Sequence, residues 1–262
     1  MKNIFRTIRF YARMRKRHPE VLRDFLAPLP YSPIFFARHY VLQTLKNALP
    51  YLRSGRFLDV GCGMKPYETL FTDFATAYIG IDHPVTQKGS YGSLTRADIF
   101  SESATFPLDN SSFDTVVCTQ VLEHVSDPFN KISEIARVLK PGGTAVISVP
   151  CAWPLHEVPH DYFRYTEFGL KNLLEGADLK IIYQEDHGNA VEALCQIAAE
   201  LFVAKPGASG FSKFWMYAGS TLLFLVGICG GKLLPSRNFT MGLTMVAIKA
   251  NIYSSSPNLA RK

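Results

Sequence analysis

The sequence predicts an α/β fold, doubly wound around a mostly parallel sheet, and three observations carry that prediction. Short apolar, β-branched runs alternate with helical stretches from Arg56 to Ile248. The first run, Phe57-Leu58-Asp59-Val60, stops in the glycine turn Gly61-Cys62-Gly63, and Pro66 suits the first turn of a following helix. Acids then recur along what would be the carboxyl edge of the sheet: Asp82 ends the second run, Asp98 ends the third, and Glu123 follows the fourth. That edge is where such sheets hold ligands.

Taken in order, residues 56–60 read as the first strand and a helix starts at about 66. A second strand is expected at 77–81, a short third near 94–97 and a fourth at 114–119. A helix near 128–139 precedes Pro141-Gly142-Gly143, which reads as a turn launching a fifth strand at 144–149. Residues 180–184 and 241–248 supply a sixth and a seventh strand. Upstream, apolar positions 34, 35, 41, 42, 45 and 49 place a helix over the core. The chain thus divides into a basic arm and linker at 1–32, a catalytic-type domain at 33–250 and a tail at 251–262, with an apolar helical insert at about 190–235.

The glycine turn has a physical reading of its own. Gly61 and Gly63 accept positive φ and carry no Cβ, so polar ligand atoms can approach the backbone amides and the helix N-terminus. Asp59 sharpens it, because a carboxylate in an apolar strand costs free energy unless a cation or donor meets it.

At 262 residues, with 47% hydrophobic and 19% charged residues, the chain can bury one sizeable core and is not a disordered protein. Cysteines 62, 118, 151, 195 and 229 form no CxxC pair, so neither a disulfide framework nor a metal site is expected, and a reducing compartment fits. The net charge of +6 resides in the N-terminal arm: residues 1–23 hold eight of the 28 Lys and Arg against the single acid Glu20. No apolar h-region follows, so a secretory signal is not indicated. On a helical projection Ile4, Phe5, Ile8, Tyr11 and Ala12 oppose Arg6, Arg9, Arg13, Lys16 and Arg17, the pattern of an amphipathic helix on an anionic bilayer. A solvated basic arm or a nucleic-acid arm is the alternative.

The strings FLDVGCG at 57–63, YIGID at 78–82, RADIF at 96–100 and FPLDNSSFDTVVCTQVLEHVSDP through RVLKPGG resemble successive motifs of the class I S-adenosylmethionine-dependent methyltransferases, type 11-like group. The resemblance spans about 40–187 and resumes at 239–250. It implies a Rossmann-like, seven-stranded sheet whose last strand is antiparallel. It also implies that Gly61, Cys62 and Gly63 lie beside the methionine part of S-adenosyl-L-methionine, that Asp59 orders its ammonium, and that Asp82 accepts the ribose hydroxyls. Asp98 would take the adenine amino group with Ile99 against the ring, while Thr119 and Gln120 pass under the methionine. Lys65 departs from the pattern, standing where many members have a further glycine. A dinucleotide dehydrogenase is the rival on the first motif, but Pro66 occupies the place of its third glycine.

The acceptor side falls on the polar, aromatic segment His156 to Phe168. Methyl transfer from a sulfonium is an in-line displacement that needs a base only if the acceptor starts protonated. His160 is the expected base, oriented by Asp161, with Tyr162 and Arg164 shaping a substrate pocket. The alternative is that His160 and Arg164 serve only to hold the loop. Thr166 reads as the N-cap of the next helix, and His124 as mainly structural.

Phe214 to Gly231 runs about eighteen residues without a charge, near the lower limit for a membrane span. Strands six and seven should be neighbours, which excludes an odd number of crossings. A monotopic hairpin in one leaflet satisfies both, and with the basic arm it gives a cytoplasmic protein held on the inner face of the membrane. A buried helix pair or dimer interface is the alternative. The expected function is methylation of a hydroxyl on a lipid-linked or glycan-type small substrate at the membrane surface. An RNA methyltransferase and a non-catalytic cofactor-binding scaffold are the other readings; nucleic acid is disfavoured because Cys118-Thr119-Gln120-Val121 stands in place of an Asn/Asp-Pro-Pro-aromatic clamp.

Overall fold

In the computed structural model the described residues are 25–250 apart from 27, 85–94, 202, 204–208 and 237. The basic arm and the C-terminal tail lie outside them. The elements are α1 (Phe35–Ala48), β1 (Gly55–Val60), α2 (Glu68–Phe71), β2 (Ala75–Asp82), β3 (Ile99–Phe100), β4 (Phe113–Thr119), α3 (Pro128–Val138), β5 (Leu139–Pro150), α4 (Glu167–Glu175), β6 (Leu179–Asp186), α5 (Ala190–Glu200), α6 (Gly210–Leu233) and β7 (Gly242–Lys249).

The strands form one sheet in the order β3-β2-β1-β4-β5-β7-β6. Strands β1 to β5 pair in parallel, and β7 runs antiparallel between β5 and β6. Strand order reverses at β1, which pairs with β2 on one side and β4 on the other. The seven-stranded doubly wound fold and its antiparallel last strand are therefore as expected.

Both faces of the sheet are covered, so its strands are apolar in both alternations. Leu58, Val116, Cys118, Ile147 and Met245 face a layer that includes Ile132 and Ile135 of α3 and Leu170 and Leu174 of α4. Phe57, Val117, Val146 and Val246 face the other, with Leu42 and Leu45 of α1, Ala193 of α5 and Phe224 of α6.

Two boundaries differ from expectation in ways that matter. The third strand is Ile99–Phe100 rather than 94–97, so Asp98 precedes it instead of ending it. The Asp98 amide donates to the Gly80 carbonyl (2.9 Å), which pins it beside β2 just before the ladder begins. Pro141-Gly142-Gly143 does not precede β5 but lies within it, where the pairing with β4 slips between Phe113 and Thr115. Gly143 is required there, because a Cβ would meet two backbone oxygens at 2.9 Å.

The apolar insert is a pair of helices. α5 begins at a reciprocal cap in which Asn189 accepts from the Val191 and Glu192 amides and Glu192 accepts from the Asn189 amide. α6 packs on α1 and α5 through small residues: a Cβ at Gly227 would stand 2.6 Å from Phe36 Cζ of α1, one at Gly230 would stand 2.8 Å from Val191 Cγ1 of α5, and one at Gly231 would meet Asn189. Its other side stays open, with Phe211, Phe214, Trp215, Leu222, Leu225 and Leu233 exposed. A fully buried helix pair is therefore not what forms. Among the described residues α6 alone is long and apolar enough to cross a membrane, by length and composition.

Candidate active site

Asp59, at the end of β1, is 5% exposed. One of its oxygens accepts from the Tyr78 hydroxyl at 2.7 Å. Burial drives its pKa up to about 7; the Tyr78 bond and Lys65 pull against that rise. The chain then turns through Gly61 (φ 67°) and Gly63 (φ 47°). A Cβ at Gly61 would collide with Val121 at 2.4 Å, whereas one at Gly63 meets nothing within 4 Å. The turn is thus packed against the segment after β4 on one side and open on the other.

Asp82 ties the second strand tip to this turn. Its Oδ2 accepts from the Gly63 amide (2.8 Å) and its Oδ1 from the His83 amide (2.7 Å). Asp98 accepts from the Gly80 amide (2.7 Å) and forms an ion pair with Lys65 at 2.5 Å. Burial would raise the Asp98 pKa, but the Gly80 amide and Lys65 together hold it below the ordinary range. Lys65 adopts φ 52° and has its side chain buried, so the departure at this position is structural. Its stem fills the space over Gly80, where a Cβ would lie 2.6 Å from Lys65 Cε and 2.5 Å from Cys62 Sγ. Ile99 is half-buried and opens β3.

Thr119 ends β4, and Gln120 turns the chain at φ 56°. The Gln120 side chain donates to Ser148 Oγ (3.0 Å) and its amide to the Ser148 carbonyl (2.8 Å), fastening this segment to β5. The expected cofactor residues Asp59, Gly61, Cys62, Gly63, Asp82, Asp98, Ile99, Thr119 and Gln120 therefore share the carboxyl edge around the point where strand order reverses, which is where a nucleotide-type ligand belongs.

The acceptor segment departs from expectation. Asp161 does not orient His160: it accepts from both terminal Arg164 nitrogens, Nη1 at 2.6 Å and Nη2 at 2.7 Å, and from the His156 amide at 3.0 Å. Arg164 holds the Asp161 carboxyl far below the carboxylate range. Arg164 itself donates to the Trp153, Pro154 and Phe163 carbonyls, so it clamps its own loop, the alternative given above for this residue. His160 Nδ1 lies 3.1 Å from the Tyr162 hydroxyl, and both side chains are exposed. Thr166 caps α4 through the Gly169 amide.

Glu123 is the residue that sequence reasoning placed at the edge without giving it a task. It sits in a single 3-10 turn, Leu122–His124, and is 0% exposed. Neither carboxylate oxygen has a hydrogen-bond partner on another residue. Burial raises its pKa to about 8. The acceptor loop closes over it: the Tyr162 and Phe163 amides donate to the Glu123 carbonyl, and the Tyr165 hydroxyl donates to the Leu122 carbonyl. Its position after a strand was legible; its complete burial was not.

Glycine turn, strand-tip acids and switch point define a nucleotide-cofactor-binding α/β protein. A family model described as a methyltransferase domain matches residues 36–184, and the chain belongs to that family of S-adenosylmethionine-dependent methyltransferase domains. It is 33% identical over 156 residues to a probable S-adenosylmethionine-dependent methyltransferase of Mycolicibacterium smegmatis, covering 56% of this chain and 60% of that one. It is 30% identical over 136 residues to an uncharacterized methyltransferase of Mycolicibacterium paratuberculosis, covering 50% and 51%. The matches thus span little more than half the length of these relatives. Among solved structures, the [4+2]-cyclase SpnF has a TM-score of 0.51 at 23% identity, covering 83% of this chain and 84% of that one. Phosphoethanolamine N-methyltransferase 2 of Haemonchus contortus, in complex with S-adenosyl-L-methionine, has a TM-score of 0.51 at 18% identity, covering 88% and 60%. At these identities the likeness shows the fold alone, and a cyclase on the same fold illustrates that reaction type must be argued from the site.

Proposed function

We propose that the protein transfers a methyl group from S-adenosyl-L-methionine to a hydroxyl of a lipid-linked or glycan-type acceptor at the membrane surface. The observation that carries the donor half is the convergence of three carboxylates on one glycine turn. Asp59 is buried with a raised pKa and one oxygen left for a cation, which fits the ammonium of an amino-acid moiety. Asp82 is held at the strand tip beside the glycine turn by the Gly63 and His83 amides, and a two-oxygen acceptor at that place suits a pair of vicinal hydroxyls. Asp98 retains one oxygen beyond the Lys65 pair for the adenine amino group. The bound cofactor supplies an electrophilic methyl on a sulfonium; the chain's part is to position it and to exclude water.

The acceptor half is supported by the exposed apolar side of α6, which suits the acyl boundary of a leaflet. On this reading His160, with Tyr162 beside it, takes the hydroxyl proton in a peripheral protein on the inner face of the membrane.

The test is incubation with methyl-labelled cofactor and a cell-envelope extract. Label should enter a lipid-soluble or glycan fraction and vanish with Asp82→Asn. Label confined to RNA, or no label with any fraction, would contradict the reading.

A further inference from the structure

Three side chains from two separate stretches meet at the buried Glu123. The Glu123 carboxylate and the imidazoles of His124 and His156 each offer a ligand atom, and these atoms lie within 4.8 Å of one another. His124 Nε2 is 3.9 Å from Glu123 Oε1 and 4.0 Å from Glu157 Oε2. The two imidazoles cross at 76° with centroids 4.6 Å apart.

The hydrogen bonds that the rings make decide which nitrogen keeps a lone pair. His124 Nδ1 is 2.7 Å from the His160 carbonyl, an acceptor, so Nδ1 carries the proton and Nε2 presents a lone pair. His156 Nδ1 lies 3.2 Å from the Pro154 carbonyl and 3.4 Å from Asp161 Oδ2, again both acceptors, so its Nε2 is likewise a lone pair. Each ring is therefore fixed by a carbonyl or a carboxylate behind it, the arrangement that orients histidine ligands. Asp161 is in turn held rigid by Arg164.

A carboxylate without solvent and without a donor from another residue is a costly arrangement. Among the described residues Glu123 is the only acid in which both buried oxygens lack a partner. A cation is the group that would meet the ligand atoms of all three side chains at once.

We propose that Glu123, His124 and His156 bind a divalent transition-metal ion, with Glu157 able to close the set. Two imidazole nitrogens with one or two carboxylate oxygens suit zinc, manganese or cobalt better than calcium or magnesium, which prefer all-oxygen sites. Bonds of about 2.1 Å place tetrahedral ligands about 3.4 Å apart, so the ion would draw these atoms inward by roughly 1 Å or less. Glu157 is half exposed on a loop and has the freedom to follow.

The catalytic meaning of the site rests on the hydroxyl-acceptor reading above; its existence does not. The ion would act as a Lewis acid on an acceptor hydroxyl. The O–H proton passes to the His160 imidazole, whose own backbone carbonyl is held by His124. The O–C bond then forms as the S–C bond of the donor breaks, releasing the thioether.

The test uses the full-length, cofactor-free protein, stripped with chelator and titrated separately with Zn2+, Mn2+ and Co2+. One equivalent should bind at micromolar concentration, with Co2+ giving visible d–d absorption. His156→Ala and Glu123→Gln should each weaken binding at least about tenfold, with unchanged circular dichroism. No uptake by the parent, or variants that bind as the parent does, would overturn the site. Should Glu123→Gln fail to fold, the partly exposed His156→Ala carries the same readout. S-adenosylmethionine calorimetry on the same samples separates the two proposals: cofactor uptake without metal uptake removes the metal site, and metal uptake without cofactor uptake removes the methyltransferase reading and leaves the site.

Discussion

The Lys65 ammonium lies 2.5 Å from Asp98 Oδ2, and this pair ties the end of the glycine turn to the residue just before β3. Where a further glycine would leave room, a cation with a buried stem fills the space over Gly80 and fixes the spacing between Gly63, Asp82 and Asp98. Lys65→Met keeps the stem and removes the charge. It should lower stability by about 1 kcal/mol, since Asp98 is half exposed, and weaken cofactor binding severalfold in a titration. Gly80→Ala should cost more, about 1–3 kcal/mol in a denaturant melt, because Cys62 and Lys65 must both move.

Asp59 couples cofactor affinity to pH. Its pKa of about 7 in the folded protein means that a ligand cation competes with a proton at that site. Affinity should therefore fall as pH drops below about 7, approaching tenfold per unit, and calorimetry from pH 5.5 to 8 reads it directly. Asp59→Asn should bind weakly and without that slope.

The same residue has the opposite effect on stability. A carboxyl whose folded pKa lies above its unfolded value binds more protons when folded, so stability falls as pH rises from about 4 to about 7. His187, buried with its pKa pushed down to about 3, acts in the other sense and gives stability that is lost as pH falls below the ordinary histidine range. Asp59→Asn keeps an acceptor for the Tyr78 hydroxyl and should raise the melting temperature of the cofactor-free protein at pH 8. An unchanged melting temperature there would contradict the burial argument.

Much of this was legible in the sequence because the signals were local. The glycine turn and the strand-tip acids occupy contiguous strings, and each parallel strand is a short apolar run. The third strand was misplaced because it has only two residues, and Asp98 is held by Gly80 of the neighbouring strand instead of by its own. The Asp161–Arg164 clamp and the Glu123–His124–His156 cluster depend on how one loop folds back over the turn after β4, and residue spacing does not encode that closure.

The helix α6 separates a packing side from an open one. Gly227→Val should push α6 off Phe36 and cost about 1–3 kcal/mol in a thermal melt. Trp215→Ser with Leu222→Ser changes exposed residues only, so the melt should be unchanged while sedimentation with anionic vesicles is lost. Equal sedimentation of parent and variant would remove α6 from the membrane proposal.

Titration calorimetry of S-adenosyl-L-methionine into the purified protein tests the central claim most directly. One molecule should bind per chain at pH 8, and Asp82→Asn, which removes the charge at the second strand tip, should reduce that affinity at least about tenfold. No heat from the folded parent protein, or equal binding by Asp82→Asn, would contradict the account.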